Sequence, residues 1–142
     1  AESELPDGLS RYQLKLPPHK LHDALAYATL VWAESFTIPA ECSVLGVPSI
    51  IIHNTESYYL SEQEHKYNLC YRYTESEKDQ QKAIDKGVEL LKTDNKTEWQ
   101  KRRKKMLADK IDVTAFLAWF VENYPDSAQI MRKDPNYQCR FK

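Results

Sequence analysis

The chain has 142 residues, 42% of them hydrophobic and 29% charged, with a formal net charge of −1. That length fits one domain with a real core, and the composition is ordinary for a soluble globular protein. A charge so near zero gives no global attraction to nucleic acid or acidic lipid, and no apolar run approaches the roughly 18 residues of a membrane span.

The opening, AESELPDGLS, has neither the basic nor the apolar stretch of a secretory leader. Three widely spaced cysteines, Cys42, Cys70 and Cys139, form no Cys-x-x-Cys pair, which argues against a zinc site and a disulfide framework. Cys42 and Cys70 fit as small buried hydrophobes, and a reducing, cytoplasmic location is the expectation. Only Gly8, Gly46 and Gly87 are glycine, so a Walker loop and a GxGxxG fingerprint are excluded.

In chain order, RYQLKL (Arg11–Leu16) alternates polar and apolar residues and is closed by Pro17 and Pro18, as a half-buried or edge strand would be. HKLHDALAYA places Leu21, Ala24, Leu25 and Ala28 on one helical face. TLVWA (Thr29–Ala33) is a short apolar strand. TIPAECSVL is a helix with Thr37 as N-cap, Pro39 in its first turn, and Gly46 and Pro48 as its stop. PSIIIH is a buried strand, because three successive isoleucines require cover on both faces. A weaker helix is predicted around Tyr58–Tyr67 and a strand at Cys70–Tyr73. The remainder reads as helical, with Ala83, Ile84, Val88 and Leu91 on one face and Gly87 a weak point. Asn95 and Glu98 form a capping box. Asp112 caps a helix whose stripe is Val113, Phe116, Leu117 and Phe120, and Pro125 marks its end. The stretch from Met131 to Lys142 lacks periodicity and reads as loose.

Alternating strands and helices indicate a parallel sheet covered by helices. In such sheets, ligands collect beyond the carboxyl ends of the strands, where helix N-termini present free N–H groups. Two such turns are marked: Glu34-Ser35-Phe36-Thr37 and His53-Asn54-Thr55-Glu56. Ser35, Thr37 and the helix amides suit a phosphate or diphosphate, or serve as plain caps. Glu41 lies one residue too late for a capping box with Thr37. Its carboxylate either favours the helix dipole or accepts the hydroxyls of a ribose. His53 is a candidate contact for sugar or phosphate. His19 and His22 have metal-compatible spacing without an evident further ligand, and a capping or surface role is preferred, so no metal is expected. QKRRKKM (Gln100–Met106) reads as a solvated helix face and not a nucleic-acid patch, since no aromatics are interleaved. Without a Gly-x-Ser-x-Gly elbow, a hydrolase triad has little support. Phe116, Trp119 and Phe120 read as core or interface.

The motifs LPPHKLHDALAYA, LVWAESFTIPAECSVLGVPSI and DVTAFLAWFVENYP together resemble the C-terminal half of an uncharacterised prokaryotic family of putative glycosyltransferases. That family is related to UDP-N-acetylglucosamine 2-epimerases and GT-B nucleotide-sugar transferases. The resemblance implies a three-layer α/β/α Rossmann-like parallel sheet, the C-terminal half of a GT-B fold, with a helical C-terminal part. It implies a nucleotide-sugar-binding domain over residues 1–126, with 127–142 as a tail. Ser35, Phe36 and Thr37 would be the phosphate turn and Glu41 the ribose ligand. Asn54, Thr55 and Glu56, after the following strand, would match the segment that faces the sugar. No cofactor is implied, the nucleotide-sugar being substrate. Relatives usually carry glycines in the first turn, whereas here Phe36 adds bulk.

Family members also carry an N-terminal domain that binds acceptor and supplies catalytic groups. The chain reads as an excised or truncated domain lacking that partner and two central strands. Its remaining strands then close up into a smaller sheet, or pair with a second copy or another chain. The function implied is the nucleotide-sugar donor-binding half of a glycosyltransferase-like or epimerase-like protein, not catalytic alone. The alternative is a non-catalytic interaction domain with a degenerate nucleotide site.

Overall fold

Strands β1 (Val31–Ala33), β2 (Ser49–Ile52) and β3 (Cys70–Tyr73) form one parallel sheet in the order β1-β2-β3. The computed structural model describes residue 6, residues 8–93 and residues 96–142. Pairing sets Trp32 beside Ile50 and Ile50 beside Tyr71, so these three share a face. The run of isoleucines behaves as its lack of polar breaks requires. Ile50 and Ile52 join Leu30, Tyr71 and Tyr73 in a cluster on one face, and Ile51 joins Leu60 and Cys70 on the other.

Helices α1 (Leu21–Tyr27), α2 (Thr37–Leu45) and α3 (Tyr58–His65) cover the Ile51 face, supplying Leu25, Cys42 and Leu60 to its clusters. Helices α4 (Glu77–Lys92) and α5 (Lys96–Asp109) cover the other, supplying Ala83, Leu90, Trp99 and Met106. The result is an α/β fold of three layers. Helix α2 ends as its sequence directs: Gly46 adopts φ +73° and its N–H caps the Cys42 and Ser43 carbonyls. From the other layer, the Gln100 amide donates to the Leu45 carbonyl at 3.1 Å and the Arg103 guanidinium donates to that of Val44. Within QKRRKKM, Arg102 pairs with Glu98 at 3.1 Å, while Lys101, Lys104 and Lys105 are exposed.

Several expectations are corrected. Arg11–Leu16 is not a strand: a 3-10 turn covers Ser10–Tyr12, the rest is coil, and Tyr12, Leu14 and Leu16 are exposed. Alternation alone does not make a strand where no neighbour supplies hydrogen bonds. Thr37 is the first residue of α2 and not its cap; Phe36 holds the cap position and gives no side-chain bond. The buried stripe of α4 is Ala83, Gly87 and Leu90, while Ile84, Val88 and Leu91 are exposed. Small residues bring this helix close to the sheet: a Cβ on Gly87 would lie 3.4 Å from both Ile50 Cδ1 and Trp32 Cζ3. The Asn95 cap lies outside the described residues.

The C-terminal part is ordered. Helix α6 (Val113–Glu122) is capped by the Asp112 carboxylate, which accepts the Ala115 N–H at 2.9 Å. Helix α7 (Asp126–Lys133) and a 3-10 segment (Pro135–Phe141) occupy the stretch read as loose. What holds them is aromatic packing. Trp119 stacks on Tyr137 at 4.8 Å, and Phe141 lies edge-on to Phe116 at 5.6 Å. Val113 and Leu117, expected on the packed stripe, are exposed. No helix among the described residues is long and apolar enough to cross a membrane.

Candidate functional site at the carboxyl ends of the strands

Because all three strands are parallel, the segments after each reach the same edge of the sheet. These are Glu34–Phe36 after β1, His53–Ser57 after β2 and Thr74–Ser76 after β3. Between them opens a cleft of about 450 Å³ lined by Trp32, Glu34, Ile52, His53, Glu75, Gln80 and Ile84. Its wall is part aromatic and part carboxylate, and no lysine or arginine lines it. A phosphate seated there would meet two carboxylates and no fixed cation.

His53 sits at the centre of a local scaffold. Its ring packs on Phe36 with centroids 4.5 Å apart, and its Nδ1 accepts the Thr55 N–H at 3.0 Å. That acceptor role places the ring hydrogen on Nε2. Its backbone N–H donates to the Tyr73 carbonyl at 3.0 Å, tying the turn to β3. Asn54 and Glu75 exchange two hydrogen bonds, and Gln80 Nε2 donates to the Glu75 carbonyl at 2.7 Å. Glu56 turns away and pairs with Arg72 at 2.8 Å. Thr74 Oγ1 donates to Asp79 at 2.7 Å, and with Lys82 as the larger cause this holds the Asp79 carboxyl down at about 2.

Glu41 belongs to a different hollow, of about 470 Å³, between α1, α2 and α3. It shares that hollow with His22, Thr37, Ala40, Val44, Tyr59 and Gln63. Two acceptors there are buried without a hydrogen-bond partner, Glu41 Oε2 and Gln63 Oε1. His22 Nε2 lies 3.3 Å from Glu41 Oε2, in ion-pair range but outside hydrogen-bond geometry. So His22, expected to lack an acidic neighbour, has one on the adjacent helix. Among the described residues no group of three or more metal-ligating side chains converges.

The eight sequence candidates therefore divide. Phe36 and His53 touch; Asn54 and Thr55 brace the second turn; Ser35 is exposed on the first. Thr37 and Glu41 face the α1–α2–α3 hollow, and Glu56 is held by Arg72. The sequence reading passed over Trp32, Glu75 and Gln80 in the cleft, and Tyr59 and Gln63 beside Glu41. Glu75 had a usable signal, since it follows a third parallel strand exactly as the two marked turns follow the first two. No family model, curated protein or solved structure matches the chain.

Proposed function

We propose that the chain is the nucleotide-sugar donor-binding half of a glycosyltransferase-like or epimerase-like protein, acting in the cytoplasm and not catalytic alone. The observation that supports it is the pair of buried acceptors that receive no hydrogen bond, Glu41 Oε2 and Gln63 Oε1, on one hollow beside the first turn of α2. Buried acceptors without donors are costly, and a ribose diol offers two O–H donors. The diphosphate then lies on the Ser35–Thr37 side, against the N–H groups that begin α2. It stays clear of Glu34 and Glu75. The sugar extends toward His53 and the second turn.

The chain's own work in this reading is positioning. Glu41 orients the nucleoside, and the α2 amides with Ser35 and Thr37 offset charge on the leaving diphosphate. Acceptor and base come from a partner domain or chain.

A second reading, a non-catalytic interaction domain with a degenerate site, is favoured by one observation. Phe36, in the turn where the resembled family usually carries glycines, closes on the His53 ring and limits backbone approach to a phosphate. Calorimetric titration with UDP and CMP separates the two. Millimolar or tighter binding is expected, and Glu41→Ala should weaken it about 10-fold or more, the worth of a hydrogen bond to a charged group. No heat at millimolar nucleotide would favour the interaction domain. Binding untouched by Glu41→Ala would remove the ribose role alone.

A further inference from the structure

A nucleotide held at Glu41 stays clear of Glu34 and Glu75, and the strand-end cleft of about 450 Å³ is left to another ligand. Ligands of parallel sheets collect at this edge. Alternation along the strands turns Trp32 and Ile52 toward α4, and Glu34, two residues past Trp32, follows to the same side. Trp32 is anchored at one end and open at the other. An added Cβ on Gly87 of α4 would lie 3.4 Å from its Cζ3, yet 45% of the residue is exposed. Ile84, one helical turn before Gly87 and 49% exposed, joins Trp32 and Ile52 in an apolar wall.

The polar groups beside that wall select the ligand. Glu34 has neither a hydrogen bond nor an ion pair among the described residues. Glu75 accepts the Asn54 amide on Oε2 at 2.9 Å, which fixes the carboxylate and leaves Oε1 open. Gln80 gives an amide N–H to the Glu75 carbonyl at 2.7 Å, so its own Oε1 is a further acceptor. His53 accepts the Thr55 N–H on Nδ1, and its ring is therefore neutral, with one N–H. Lys78, Lys82 and Lys86 of α4 do not line the cleft, and the last two are held by Asp79 and Glu89. Acceptors and negative charge thus dominate, beside an indole, the aromatic ring that attracts cations best. A ligand that suits all of this brings N–H donors, a positive charge and an apolar stem. An anion meets two carboxylates, and a neutral alcohol leaves their charge uncompensated.

We propose that this cleft binds an ammonium or guanidinium group on a short apolar stem, the cation at Glu34 and Glu75 and the stem against Trp32, Ile52 and Ile84. Binding here is independent of the nucleotide, because the cleft lies on the α4 face of the sheet and Glu41 on the opposite one. In a nitrogen–proton correlation spectrum of the full chain without nucleotide, the indoles of Trp32, Trp99 and Trp119 are separate reporters, and Trp32→Phe identifies the first. Butylammonium and butylguanidinium should shift the Trp32 indole saturably, at the millimolar affinity expected of so small a probe. Butanol and butyrate, which share the stem, should not. The Nα-acetyl amides of lysine and arginine offer the same groups from a peptide backbone: tighter binding than the free amines assigns the cleft to a protein side chain, weaker binding to a small amine. Glu34→Gln, which removes no bond within the chain, should weaken butylammonium about 5-fold and leave the urea midpoint in place. No Trp32 shift at about 50 mM butylammonium, far above a useful affinity, would overturn the proposal. So would an equal response to butanol, or an affinity that Glu34→Gln leaves unchanged.

Discussion

Asn54 and Glu75 hold each other by two hydrogen bonds. The Asn54 amide donates to the Glu75 carboxylate at 2.9 Å, and the Glu75 N–H donates to the Asn54 carbonyl at 3.0 Å. This exchange ties the turn after β2 to the turn after β3, so one wall of the cleft depends on it. Asn54→Ala should cost about 1 kcal/mol in urea unfolding, the net worth of such bonds near the surface. Asn54→Asp should cost more, because it sets a second carboxylate against Glu75. Amide exchange at Glu75 should quicken in both variants, while exchange at Ile50 should follow only the global change.

The two buried thiols are expected to be inert. Burial, with the charge of Glu41 nearby, pushes Cys42 up to about 11; burial, with Glu64, pushes Cys70 up to about 12. The thiolate is the reactive form, and Cys139 is exposed. A disulfide reagent at neutral pH should therefore titrate one thiol in the native chain and all three in denaturant. Rapid loss of two or more native thiols would contradict the burial of this core.

Two glycines should respond to alanine with opposite signs. Gly46 has φ +73°, and a Cβ there would lie 2.5 Å from Gln100 Nε2, which bonds the Leu45 carbonyl. Gly46→Ala should lose about 1–2 kcal/mol from the left-handed backbone alone. Gly87 lies inside α4, and its added methyl would meet only ordinary contacts at 3.4–3.5 Å. Gly87→Ala should gain about 0.5–1 kcal/mol from helix propensity. Thermal unfolding of both variants checks the pair.

Stability should fall on the acid side for an identifiable reason. Lys82, then the Thr74 hydroxyl, holds Asp79 at about 2 against an ordinary 3.8. Lys110 lowers Glu62, and the Tyr67 hydroxyl with Lys66 lowers Asp109. A carboxyl depressed in the folded state contributes fully above its unfolded value and loses that contribution as pH falls through the folded one. The Asp79 share should thus be complete above about pH 4 and gone by about pH 2. Asp79→Asn should flatten the urea midpoint over that interval and lower it at neutral pH.

How far the sequence reached depended on whether a feature is set locally. Ile50–Ile52 announced a strand covered on both sides because no polar residue interrupts it, and Gly46 announced a left-handed stop. The α4 face was misread because bulk attracted the assignment to Ile84, Val88 and Leu91, whereas close approach to the sheet selected Ala83 and Gly87. Arg11–Leu16 carried the right alternation but found no neighbour, and pairing over long separation leaves no mark in a short segment. At the site, the strand-end rule found His53. It could not place Glu41, whose direction depends on how α2 is rotated against α1 and α3.

The aromatic knot at the C-terminus shares no residue with the clusters that hold the sheet. It closes on itself, with the Asp112 N–H donating to the Phe141 carbonyl across its neck. Each assembly can therefore melt without dragging the other down. The three tryptophans divide between them, Trp32 and Trp99 with the sheet and Trp119 in the knot. Replacing Trp119 with phenylalanine would leave fluorescence that reports the sheet alone, and replacing Trp32 and Trp99 together would leave a private thermometer for the knot.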